Sequence, residues 1–88
     1  MNDVIWDEAA LEELADIWVA VAQTERERIE EAILRLNEKL KRAPQTEGES
    51  RSGNVRVTFE IPLTVWYRVF ADIDTVIVFH LVRPLRRP

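Results

Sequence analysis

The chain has 88 residues, 47% of them hydrophobic and 32% charged, with a net charge of −4. That suffices for one domain over residues 1–88 with a core of its own, which excludes a disordered chain. The lack of cysteine excludes a disulfide framework and a thiolate metal site and fits a reducing, cytoplasmic setting, while no apolar run nears the about 20 residues of a membrane span or forms a signal peptide.

Val4-Ile5-Trp6 is a short apolar run of edge-strand character. Asp7 follows as a helix N-cap, since its carboxylate can accept from the free amides of the next turn. Leu11, Leu14, Ala15, Trp18, Val21 and Ala22 then recur at helical spacing, which predicts an amphipathic helix over 8–22. Its other face carries Glu8, Glu12, Glu13 and Asp16 with no base to pair them, a surface that repels nucleic acid. Thr24-Glu25-Arg26-Glu27 reads as a capping box opening a second helix. Ile29, Ala32, Ile33, Leu36 and Leu40 form its apolar stripe. Glu31–Arg35 and Glu38–Arg42 are spaced as i,i+4 pairs. Lys39, Lys41 and Arg42 suit the negative end of the helix, and Pro44 stops it. The two helices are expected to pack as an antiparallel hairpin.

Residues 44–54, PQTEGESRSGN, hold both glycines and read as a loop. Beyond them the pattern alternates. Val55, Val57, Phe59 and Ile61 share one face, expected toward the helices, and Arg56, Thr58 and Glu60 the other. Pro62 marks a bend. Leu63 to Ala71 and Thr75 to Arg83 read as two further strands joined by a tight turn at Asp72-Ile73-Asp74. On the first of these, Leu63, Val65, Tyr67 and Val69 form the natural core face, leaving Thr64, Trp66, Arg68 and Phe70 in the open. The last strand, TVIVFHLV, is apolar on nearly both faces and belongs near the middle of a sheet. His80 is expected on the open face with Val78 and Val82. The fold class is thus α+β: a short N-terminal strand, a helical hairpin and a three-stranded antiparallel sheet.

No glycine-rich phosphate loop, metal-ligand cluster or nucleophile motif is present, so no cofactor and no metal are expected. His80, the one histidine, cannot build a metal site unaided. Glu12 and Glu13 lie on a solvated face, where a general acid gains no raised pKa. The charge is divided: residues 1–50 hold 13 acids and 6 bases, residues 51–88 hold 3 acids and 6 arginines. That asymmetry points either to a polyanionic or acidic partner for the basic half or to charges placed simply on whichever face is solvated. An open sheet face with Trp66, Arg68 and Phe70, beside Arg83, Arg86 and Arg87, is a candidate binding surface. The alternative is that the tail or a second copy, in a homodimer, covers it.

The order of elements, with "PLTVWYRVF" and "TVIVFHLVR" in the strands, resembles the RelE/ParE superfamily, the toxins of bacterial type II toxin–antitoxin modules of the plasmid-stabilisation kind. The resemblance rests on Ala10, Leu14 and Trp18, on Pro44 to Arg51 with Gly48-Glu49-Ser50, and on Val65–Val69 followed by Val76–Val82. It implies an antitoxin partner and one of two targets. RelE-like toxins enter the ribosomal A site and cleave mRNA with basic side chains on the sheet, usually aided by a tyrosine or histidine near the C-terminus. ParE-like toxins lack that set and poison DNA gyrase. By that likeness Arg56 takes a basic position of the nuclease branch, Arg86 falls near the arginine after the last strand, and His80 stands in as general base. Thr58 and Thr64 replace two further cations, and no tyrosine follows Arg86 in this sequence. Each missing donor costs about 10²-fold or more in such a site. The isoelectric point near 5.0 is also low for an RNA binder. A ParE-like or catalytically degenerate toxin is therefore expected, with ribosome-dependent mRNA cleavage and a non-toxic, self-associating relic as the alternatives.

Overall fold

The computed structural model describes residues 1–84. Strand β1 (Asp3–Trp6) leads into helix α1 (Glu8–Ala20) and helix α2 (Gln23–Arg42). Then come β2 (Glu49–Ser50), β3 (Val55–Glu60), β4 (Leu63–Phe70), a short 3₁₀ turn at Ala71–Ile73 and β5 (Thr75–Val82). The sheet has five strands in the order β1-β5-β4-β3-β2. Three are the antiparallel strands the alternation predicts. The N-terminal strand joins them in parallel, with Asp3 opposite Thr75 and Trp6 opposite Val78. The fifth comes from the polar loop, where Glu49 pairs with Val57 and Ser50 with Arg56. Two polar residues carry no strand signal of their own, so only the neighbouring edge of β3 makes them one. As its double-sided apolar sequence implies, β5 lies inside the sheet.

Asp7 caps α1, with Ala10 N–H donating to its carboxylate at 2.9 Å. The capping box at α2 does not form. That helix starts one residue before Thr24, its N-cap is Ala22, and no side chain caps it. Only Val21 and Ala22 separate the two helices, so the short connection sets the start of α2. Arg26 secures the corner, its Nε donating to the Trp18 carbonyl at 2.8 Å while its guanidinium lies 5.6 Å from the Trp18 ring.

The core lies between α2 and one sheet face. Ile29, Ala32, Leu36 and Leu40 of α2 meet Leu63, Val65, Tyr67, Val76, Val78 and Leu81, with Ala10 of α1 completing the cluster. Leu14, Ile17, Trp18 and Val21 of α1 pack at its margin. Trp6 points into the same side, its indole N–H donating to Asn37 Oδ1 at 3.0 Å. No helix among the described residues is long and apolar enough to cross a membrane.

Two face assignments made from alternation are reversed. Glu60 faces the helices, where Arg35 and Lys39 of α2 donate to it at 2.7 and 2.9 Å. Arg56 and Thr58 share that side by strand periodicity, and Val57 and Phe59 take the other. Phe59 is accordingly 59% exposed. Alternation sorts residues into two faces without saying which is inside. Here the register with β4 decides it: Val57 and Phe59 lie opposite Trp66 and Thr64 on the open face, and Thr58 and Glu60 opposite Val65 and Leu63 on the core face. The second reversal comes from a bulge in β5. Trp66 pairs with His80 but Tyr67 pairs with Val78, which leaves Phe79 as the extra residue. Val78 is fully buried in the core while His80 stands on the opposite face.

Candidate functional site: the open sheet face

The face away from α2 is built in rows across the strands. One row is Val57–Trp66–His80, the next Phe59–Thr64–Val82. Toward the other end, Arg68 pairs with Ile77 and Phe70 with Thr75. Apolar side chains dominate, and Val57 is buried there without belonging to the main core. The Trp66 and His80 rings stand 4.7 Å apart at an interplanar angle of 36°. The Arg68 guanidinium lies 4.8 Å from the Phe79 ring, a cation–π contact that the bulge makes available by turning Phe79 to this face. Asn54 accepts a long hydrogen bond from Arg68 at 3.4 Å.

His80 has a partner that local sequence did not disclose. Glu13, midway along α1, approaches its Nδ1 to 2.6 Å. A carboxylate only accepts, so the contact holds the proton on Nδ1 and leaves Nε2 of a neutral ring as an acceptor. The pair is about one-third exposed on each side, at 41% for His80 and 34% for Glu13. Helical spacing places Glu13 on the solvated face of α1, and only packing α1 along the edge of β5 brings it to the imidazole.

Of the sequence-derived candidates, Trp66, Arg68 and Phe70 share this face, as expected. Arg83 stands at the end of β5 but is engaged: its Nε and one terminal nitrogen both donate to Glu25 of α2 at 2.9 Å. Arg56 is on the other side of the sheet, opposite Tyr67. Its guanidinium donates to the carbonyls of Glu47 and Gly48, both at 3.0 Å. The Tyr67 hydroxyl donates to the same loop, shared between the carbonyls of Pro44 at 2.8 Å and Glu47 at 2.6 Å. Burial pushes the Tyr67 phenol up from its usual value, against the pull of the neighbouring Arg56. Arg56 and Tyr67 thus pin the 44–48 loop, and the sheet separates Arg56 from His80. Arg86 lies outside the described residues. No cluster suited to a metal ion occurs among the described residues.

No protein-family model matches the sequence, and no curated protein matches it. Solved structures do. A chain of the chromosomal ParDE toxin–antitoxin system from P. aeruginosa superposes with a TM-score of 0.70 at 19% identity, covering 94% of this chain and 96% of that one. A chain of the intact E. coli RelBE toxin–antitoxin complex gives 0.63 at 21% identity, covering 98% and 100%. The isolated E. coli RelE toxin gives 0.64 at 19%, covering 99% and 88%. At these identities the likeness is one of architecture, and it extends over nearly the whole chain: the protein has the RelE/ParE toxin fold.

Proposed function

We propose that this protein is the toxin-like component of a toxin–antitoxin module, acting by binding a cellular target rather than by cleaving RNA, and neutralised by an antitoxin. The fold supports the class, since the similar structures are toxins or toxin–antitoxin complexes. The observation that carries the binding reading is the division of Arg56 from His80 by the sheet. An acid–base group and the cation meant to stabilise its transition state must converge within about 3 Å of one reacting group. Here the guanidinium is held by loop carbonyls on the far face. The open face instead offers Trp66 and Arg68, of the residue types that dominate binding hot spots, with the Phe79 ring beside them. DNA gyrase fits as target in the ParE-like version of this reading.

One observation favours the nuclease reading. Glu13 orients His80 as a carboxylate orients a general base. Inducible expression in a bacterial host separates the two. Growth arrest with intact mRNA, relieved by Trp66→Ser with Arg68→Ala and left standing in Arg56→Lys, is the expected result. mRNA cleavage at the ribosomal A site that disappears in His80→Ala overturns it. Growth without any arrest moves the protein to the non-toxic, self-associating class.

A further inference from the structure

β1 is shorter than the strand it accompanies. Its last ladder partner is Val78, and the Asp7 N–H closes the pairing on the Val78 carbonyl at 3.0 Å. β5 continues to Val82, and among the described residues no strand lies on that side. Past the bulge, the alternation of the antiparallel ladder turns the N–H and C=O of Leu81 outward. Among the described residues, no backbone hydrogen bond outside the ladders involves residues 79–84. An unpaired length of backbone of this kind is a template for an added strand.

This edge is not simply open to solvent. α1 runs beside it, leaving a groove of about 510 Å³ between helix and strand. Ile17, Ala20 and Val21 give it an apolar wall, with Leu81 and Val82 opposite. Glu13 and Asp16 form the rim. Asp16 is exposed and makes no ion pair among the described residues. The whole of α1, EAALEELADIWVA, contains four acids and no base. Among the described residues the one cation lining the groove, Arg83, already serves Glu25.

We infer that this groove takes an extended, basic–apolar segment of a partner chain as an added strand on β5. The free backbone of Leu81 supplies the ladder. Alternate apolar side chains of the segment pack against Ile17 and Val21. Lysine or arginine at the intervening positions meets Asp16 and the acidic face of α1. The sign of charge follows from the helix wall: an acidic segment would be repelled along the whole groove. This inference does not depend on the toxin reading, because edge, wall and rim would select the same chemistry in any context.

The test uses the full chain and capped peptides of about seven residues, followed by amide NMR. Alternating Val–Lys is expected to shift the amides of Leu81 and Arg83 together with those of Glu13 and Asp16. The matching Val–Glu peptide should bind about tenfold more weakly or worse. Asp16→Asn should weaken the Val–Lys peptide about threefold to fivefold, the range of one exposed ion pair. Ala20→Trp, at an exposed position that fills the groove, should abolish binding while leaving the rest of the spectrum folded. N-methylation of the peptide on its pairing edge should do the same. Equal binding of the acidic peptide, shifts confined to the Trp66 face, or no shift at about millimolar peptide each overturns the inference. So do concentration-dependent shifts at 81–83 in protein alone, which make the occupant a second copy.

Discussion

Gly48 adopts a φ of +67°, and a β-carbon there would press into the backbone carbonyl of Val57. Both the conformation and the close approach require glycine, because β2 lies on β3 with no room for a side chain. Gly48→Ala should therefore lower stability by more than the about 1 kcal/mol of an ordinary loop substitution, measured by urea unfolding. It should also free the carbonyls that hold Arg56. Tyr67 supports the same loop from below, with one hydroxyl proton shared between two carbonyls. Tyr67→Phe keeps the ring in the core and removes only that donor. A loss of about 1–2 kcal/mol is expected, and an unchanged denaturation midpoint would show that water replaces it.

Between elements, Glu60 is the main polar link of α2 to the sheet. Burial pushes its carboxyl up, but hydrogen bonds from Arg35 and Lys39 outweigh this and hold it below its usual value of 4.5. Lys39 shows the complementary shift. Burial lowers its ammonium, and Glu60 with Glu47 raises it above 10.5. A carboxyl depressed on folding contributes stability that is complete above pH 4.5 and lost as the pH falls through the lower folded value. Glu60→Gln should flatten this part of the acid-unfolding curve, seen by circular dichroism below pH 4.5. At neutral pH its cost should stay near 1 kcal/mol, since Arg35 is half exposed at 51% and solvent screens the pair. A dependence on acid equal to that of the parent would place the linkage on other carboxylates. The bulge in β5 acts at this scale as well, since one extra residue brings Phe79 and His80 to the same face.

Across the whole molecule the two sheet faces have divided labour. One is closed by α2 over a core in which Leu36 and Leu40 are fully buried. Leu36→Ala should cost about 2–5 kcal/mol, as expected for an aliphatic side chain removed from a close-packed interior. The other face keeps Trp66, Phe79 and Arg68 within reach of a partner. Size-exclusion chromatography with light scattering distinguishes its occupants. A monomer whose mass is unchanged by Trp66→Ser is expected if the face is reserved for a target. A dimer that falls apart in that variant would mean that a second copy covers it.

The sequence by itself made legible the two helices and four of the strands in their order, the Asp7 cap, the stop before Pro44, the interior position of β5 and the shared face of Trp66, Arg68 and Phe70. Each is a matter of local periodicity, capping or burial preference, which neighbours in the chain decide among themselves. It did not determine which way β3 faces, because its two alternating sets are chemically distinct without being labelled inside or out. Its register with β4 made that choice, setting Val57 opposite Trp66 and Glu60 opposite Leu63, and Arg35 and Lys39 of α2 then meet Glu60 on the inner side. Nor could it place Phe79 and His80 together, since a bulge interrupts the period on which the reading depends. The Glu13–His80 contact joins residues 67 positions apart, and the edge of β5 beside the groove is left uncovered because the β1 ladder ends at Val78 while β5 runs on to Val82. Such features arise where elements meet, and tertiary packing alone decides them.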